Sequence, residues 1–334
     1  MKNLITDIDG ILVGNASNEA LKSGTTALIC SHPMVASYAV LGGAPGTRET
    51  DLLMPDQTVE QIDALVLSGG SAFGLDAAGG VQGWLRDQGR GFAVGPVHVP
   101  IVPAAILFDL INGGDKAWQG QSPYWDLGWQ AAAEAKSDFA LGSHGAGTGA
   151  LIAGLKGGLG SASMRLDNGI TIGALVAVNA LGQATMGSSR HFWAAPFEKN
   201  GEFGDLGLPA TLPAHVSRPL TKGDAMKNGG AKNANTTIGI IATDARIGKA
   251  AARRLAIMAH DGFSRALWPS HTPMDGDLIF ALSSGKKDLP NDDKAFLELG
   301  AGAAATMARA IARGIYEAQA RPNDIFPTWQ DKFG

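Results

Sequence analysis

What the chain lacks narrows its chemistry first. It has one cysteine, so no disulfide framework can form. That residue, Cys30, lies in the apolar run Thr25-Thr26-Ala27-Leu28-Ile29-Cys30 and reads as a buried, inert thiol. There is no lysine–arginine block and no basic stripe with interleaved aromatics, and the net charge is −4. A nucleic-acid partner is therefore not expected. No uninterrupted apolar run reaches the ~18 residues of a membrane span, so no membrane partner is expected either. Asp7 and Asp9 come too early for a secretory signal, which points to a soluble cytoplasmic protein. None of the seven histidines forms a His-x-His or His-Glu-x-x-His pair. No metal site is expected, and nothing calls for another cofactor.

What the chain has is glycine, 46 residues of it among 334, without a Gly-X-Y period. That composition predicts many tight turns and close backbone approaches. Strands are predicted at Gly24–Cys30, Ser37–Leu41, Ile62–Leu67, Ser161–Arg165 and Thr171–Val178. Helices are predicted from Leu75 to about Gln88, over Tyr124–Lys136 and Lys249–His260, and over Asp292–Ala318. Strands and helices mix without strict alternation, which favours a layered α/β or α+β domain with helices covering sheets. From about Gly187 to Asn235 the pattern dissolves into proline, glycine and charge. A stretch that long inside a compact domain marks function or disorder.

The stretch ends abruptly. After the polar leader Lys222–Ala234, Asn235 opens the β-branched run Thr236-Thr237-Ile238-Gly239-Ile240-Ile241-Ala242-Thr243. A threonine at the mouth of a buried strand often does no more than favour β structure. It is also where an internal N-terminal nucleophile would sit. Cutting Asn235–Thr236 would give Thr236 a free α-amine beside its own hydroxyl, a built-in base.

Other motifs read both ways. Gly70-Ser71-Ala72-Phe73-Gly74 misses the Gly-x-Ser-x-Gly spacing and suits a small-residue helix entry, whose amides are able to bind an anion. Gly145-Ala146-Gly147-Thr148-Gly149 lacks the nucleotide-loop spacing and fits close packing. His191 and His271 are the least ordinary histidines, although a surface role accounts for both. Met274-Asp275-Gly276-Asp277 precedes the strand Leu278–Leu282. Two carboxylates so close can shape a turn, hold a divalent cation, share a proton or orient an ammonium.

Taken in order, these segments resemble a known family. They are Ile5-Thr6-Asp7-Ile8-Asp9-Gly10, Gly42-Gly43-Ala44-Pro45-Gly46-Thr47-Arg48-Glu49-Thr50, Leu67-Ser68-Gly69-Gly70-Ser71-Ala72-Phe73-Gly74-Leu75, Val178-Asn179, Asn235-Thr236-Thr237 and Pro273-Met274-Asp275-Gly276-Asp277. The pattern resembles the P1-type, DmpA-like peptidases of family S58. That family holds L-aminopeptidase/D-esterases, β-aminopeptidases and 6-aminohexanoate-oligomer hydrolases. The resemblance implies an α+β layered αββα sandwich, similar to Ntn hydrolases but differently connected. It also implies a single domain, 1–334, cut by itself into an α subunit, 1–235, and a β subunit, 236–334, in a homotetramer of processed units.

The same resemblance makes Thr236 the nucleophile, freed by autocleavage after Asn235, and Asn179 the oxyanion donor. It sets Asp275 and Asp277 where aminopeptidase members carry Ser and Glu, which is closer to the nylon-oligomer branch. Lys156 matches, loosely, a lysine near the site in that branch. The implied substrates are short peptides, amino-acid amides or ω-amino-acid oligomers. The alternatives are an aminopeptidase or β-aminopeptidase of the same family and, in another class, an uncut small-ligand-binding protein.

Overall fold

The computed structural model describes residues 1–214, 216–226 and 235–334. Most of the polar leader before Asn235 (227–234) and His215 lie outside the described residues. Nine strands join in one sheet: β1 (Ile11–Asn18), β2 (Ser23–Val40), β3 (Thr47–Arg48), β4 (Gln61–Ser68), β5 (Ala104–Ile106), β6 (Gly158–Arg165), β7 (Thr171–Asn179), β8 (Thr236–Arg246) and β9 (Leu278–Asp288). The order is β6-β7-β8-β9-β2-β4-β5-β3, with β1 also paired to β2. The helices are α1 (Asp76–Asp87), α2 (Tyr124–Ala133), α3 (Lys222–Ala225), α4 (Lys249–Ala259), α5 (Asp261–Ala266), α6 (Asp293–Tyr316) and α7 (Trp329–Phe333).

β2 is the strand on which the sheet doubles back. Its first half pairs with β1 and β4, and its last residues, Val35–Val40, pair with β9. The sequence pattern predicts two strands here because Ser31, His32 and Pro33 break the apolar run. The backbone instead stays extended through them and absorbs the break as a register shift against β4 between Ile29 and Met34.

Three cores follow from side-chain alternation along the strands. Val176 and Val178 of β7, with Ile279 and Ala281 of β9, pack under α4, α5 and α6. Their neighbours Leu175, Ala177, Leu278 and Phe280 face the other way, onto Leu28, Leu65 and Leu67. On the far side Ala64 and Val66 of β4 meet Val81 and Leu85 of α1 and Leu127 and Ala131 of α2. The result is helices, sheet, sheet, helices: the αββα arrangement. Each fully buried Leu, Ile, Val or Phe in these cores contributes about 1.5–3 kcal/mol.

α6 is long and apolar enough by composition to cross a membrane, but it is a core helix, capped by Asp292 and packed on β6, β7 and α5. Its approach to β6 needs Gly314. A Cβ there would lie 2.9 Å from the backbone N of Gly160 and 3.2 Å from the Gly158 carbonyl oxygen.

Candidate active site

The sheet brings four of the sequence-predicted residues together. Antiparallel pairing of β7 and β8 sets Asn179, the last residue of one strand, opposite Thr236, the first of the next. β8 and β9 run parallel, so the turn entering β9 lies beside the entry to β8, with Asn235 bridged to Asp275. All four and Asp277 are buried, Thr236 at 4% exposure.

The hydrogen bonds at this junction converge on the Asn235–Thr236 bond. The Asn235 carbonyl oxygen accepts from the Gly276 N–H at 3.0 Å and from the Thr236 hydroxyl. The Asp277 carboxylate accepts from the Thr237 N–H at 2.9 Å. Asp275 accepts from the Leu181 N–H at 3.3 Å and from the Thr272 N–H and hydroxyl at 3.0 and 2.6 Å. Both polar side-chain atoms of Asn235 are buried without a hydrogen-bond partner among the described residues. Such a group is costly to leave unpaired and marks a site under constraint.

Charge is concentrated here. Burial first, and then the neighbouring negative charge of Asp277, push the Asp275 carboxyl above the ordinary range. His271 contacts Asp277 through its own N–H at 3.0 Å and through Nδ1 at 2.9 Å.

Asn179 is held by a buried polar network. Its Oδ1 accepts from Asn112 Nδ2 at 3.2 Å, the Leu151 N–H at 3.0 Å and Lys222 Nζ at 2.9 Å. Three donors on one oxygen fix which way the carboxamide points. Its NH₂ donates to the Phe108 carbonyl oxygen at 2.9 Å, which leaves the second hydrogen for another acceptor.

Lys156 does not join this group. It sits at the end of the short hairpin Leu151–Ile152/Leu155–Lys156, and its Nζ pairs with Asp324 at 2.7 Å. The other Asp324 oxygen pairs with Lys22, also at 2.7 Å. A buried ammonium goes to the carboxylate that can neutralise it, and for Lys156 that is Asp324.

The lysine that touches Asn179 is Lys222, which the sequence reading places in a polar leader. Thr221 caps the short helix α3, and the Lys222 N–H donates to the Leu181 carbonyl at 2.8 Å. The side chain then enters the interior, where Nζ meets both the Oδ1 and the backbone carbonyl of Asn179. Burial lowers its pKa to about 7, against the opposing pull of Asp275 and Asp109. A lysine two residues after the exposed Leu220 gives no local sign of this.

The remaining motifs settle as structure. The amides of Gly69, Gly70 and Ser71 donate to the Gly24 carbonyl, Asp109 and the Leu107 carbonyl, so these three are taken. Gly145–Gly149 packs closely, Gly145 on the side chains of Thr26 and Asn15 and Gly147 and Gly149 on neighbouring backbone. His191 lies by the Gly207 carbonyl, in another part of the molecule.

With this geometry in view, the comparisons are decisive about kinship. The model of peptidase family S58 matches residues 3–323. The chain belongs to peptidase family S58. It is 41% identical to an uncharacterized aminopeptidase of Mycobacterium tuberculosis (strain ATCC 25618 / H37Rv), over 99% of this chain and 98% of that one. It is 26% identical to the 6-aminohexanoate-oligomer endohydrolase of Kocuria sp. (strain KY2), over 85% of this chain and 76% of that one.

Among solved structures it superposes on the L-aminopeptidase D-Ala-esterase/amidase of Ochrobactrum anthropi, described as a new variant of the Ntn hydrolase fold. The TM-score is 0.66 at 20% identity, with 97% of this chain and 89% of that one covered. The S58 chain described here is thus a hydrolase of the peptidase and amidase kind, on an Ntn-like αββα frame.

Proposed function

We propose that this S58 chain is a self-processing amide hydrolase whose nucleophile is Thr236, released by cleavage of Asn235–Thr236. One observation carries the reading: the Thr236 hydroxyl and the Gly276 N–H meet on the carbonyl oxygen of the bond to be cut. In the uncut chain, Thr236 Oγ attacks the Asn235 carbonyl carbon and its proton passes to a carboxylate of the adjoining turn, Asp275 or Asp277. The Gly276 N–H holds the oxygen as it becomes an oxyanion. The C–N bond breaks, the Thr236 nitrogen leaves as the amine with that proton, and an Asn235–Oγ ester remains. Water then hydrolyses the ester to a carboxylate at Asn235 and a free amine and hydroxyl at Thr236.

In the processed enzyme the amine is the base. Its unperturbed pKa, roughly 7.7–8.0, lies close to working pH. It takes the Oγ proton as Oγ attacks a substrate amide and returns a proton to the leaving amine. The remaining N–H of the Asn179 carboxamide faces the new oxyanion, and Asp275 and Asp277 hold the reagent in place. Water, activated by the same amine, frees the acyl group.

Short peptides, amino-acid amides and ω-amino-acid oligomers are the candidate substrates. The 41% relative named as an aminopeptidase favours amides with a free α-amine. The aspartate pair at 275 and 277 keeps ω-amino-acid oligomers in the set.

The test is Thr236→Ala beside wild type, with intact mass for processing and both amide types for turnover. The expected variant is one uncut, inactive chain. Fragments or full turnover from that variant would remove Thr236 from the reaction.

A further inference from the structure

His271 occupies a conformation that residues with side chains seldom take, φ +57. It is held there from three sides. Its backbone N–H and ring Nδ1 both reach one oxygen of Asp277, at 3.0 and 2.9 Å. Ring Nε2 lies 3.4 Å from the carbonyl oxygen of His260. The ring stacks on Phe263 with centroids 5.4 Å apart. A carbonyl oxygen can only accept, and both Asp277 oxygens already accept backbone N–H groups. Both ring nitrogens are satisfied together only when each carries a hydrogen.

We propose that His271 is an imidazolium that positions Asp277 and, through it, lowers the proton affinity of the Thr236 amine. The inference rests on the Thr236 reading above. The linkage is short: His271 holds one Asp277 oxygen, and the other accepts the N–H of Thr237, the residue joined to Thr236.

The titratable groups around His271 are Asp275 and Asp277 on its own turn and His260 at the junction of α4 and α5, ring centroids 4.8 Å apart. His260 stays neutral. Burial drives its pKa down to about 4, and its Nε2–H donates to the Ala39 carbonyl. Burial also opposes charge on His271, but the hydrogen bond and negative charge of Asp277 outweigh it and the pKa rises. With His271 charged, the negative charge that Asp277 presents beside Thr236 is offset by a cation in direct contact with it. Without that cation the Asp277 carboxylate acts on the new amine unopposed by His271 and holds its proton harder.

Two measurements test this. In ¹⁵N-labelled Thr236→Ala protein, the ring nitrogens of His271, assigned by loss of their signals in His271→Asn, are expected to be both protonated at pH 7. In the processed enzyme, His271→Asn keeps a donor near Asp277 and tolerates positive φ. Its acid limb in kcat/KM is expected to move up by about one pH unit, with plateau KM unchanged. A neutral imidazole at pH 7, or an acid limb that stays in place, overturns the proposal. Cleavage in Thr236→Ala would instead overturn the nucleophile reading, while the nitrogen signals still report on His271. If His271→Asn does not fold, His271→Gln supplies the assignment and the profile.

Discussion

The Gly276 N–H donates to the Asn235 carbonyl oxygen at 3.0 Å, across the bond where the two proposed subunits join. Gly276 is also required by space. A Cβ there would lie 2.7 Å from the Ala44 carbonyl oxygen and 2.7 Å from Thr236 Oγ. Gly276→Ala pushes the donor away from the carbonyl and crowds the nucleophile. Overpacking of this kind costs about 1–3 kcal/mol, so self-cleavage is expected to slow by roughly ten- to a hundredfold. Intact mass against time after translation measures it; cleavage at the wild-type rate would remove Gly276 from the reaction.

Asn179→Asp keeps the oxygen that Asn112, Leu151 and Lys222 hold and removes the NH₂. An oxyanion donor is worth about 2.7–4 kcal/mol, so kcat should fall by roughly a hundred- to a thousandfold. The variant also loses the bond to the Phe108 carbonyl, so the melting temperature should fall as well and kcat is read on the folded fraction. Unchanged kcat would show that another group stabilises the oxyanion.

Lys222 gives stability a pH dependence of definite sign. Its pKa in the fold, about 7, lies below the unfolded value of 10.5, so between these limits the unfolded chain binds the extra proton. Stability contributed by this residue therefore rises as pH goes from about 7 towards 10.5. Lys222→Met, which keeps the length without the amine, should flatten that slope in urea titrations from pH 7 to 10. A slope as steep as in wild type would place the amine elsewhere.

Asp324 holds the two lysines, Lys22 and Lys156, that stand apart from Thr236. Burial opposes the Asp324 charge, but the hydrogen bonds from Lys156 and Lys22 more than reverse this and hold its carboxyl below the ordinary range. Its contribution is present above that range and is lost as pH falls through the folded pKa. Asp324→Ala leaves two ammonium groups without their partner and should destabilise by about 3 kcal/mol. The folded fraction should keep its kcat. A large loss of kcat at unchanged stability would return Lys156 to the active site.

The residues legible in the sequence are those whose placement is local. Thr236 opens a β-branched run, Asn179 closes another, and the Asp275-Gly276-Asp277 turn enters the next strand. Pairing those three strands is enough to bring them together. Lys222 was not legible and His271 stood out without a role, because their burial is decided by partners far along the chain or by a turn closing on itself. Lys222 meets Asn179 across 43 residues. Lys156 is carried over from a loose resemblance to a lysine near the site in the nylon-oligomer branch, yet its partner Asp324 is 168 residues away. The αββα layering came from resemblance as well as pattern. β2, broken in its apolar pattern at Ser31–Pro33, shows that a strand can run on where alternation fails.

The most direct measurement is N-terminal sequencing of the smaller fragment in freshly purified, active protein. The predicted result is a chain that begins Thr-Thr-Ile-Gly-Ile and carries residues 236–334. A single intact polypeptide that hydrolyses amides at full rate, or a fragment beginning at any other residue, would contradict the account.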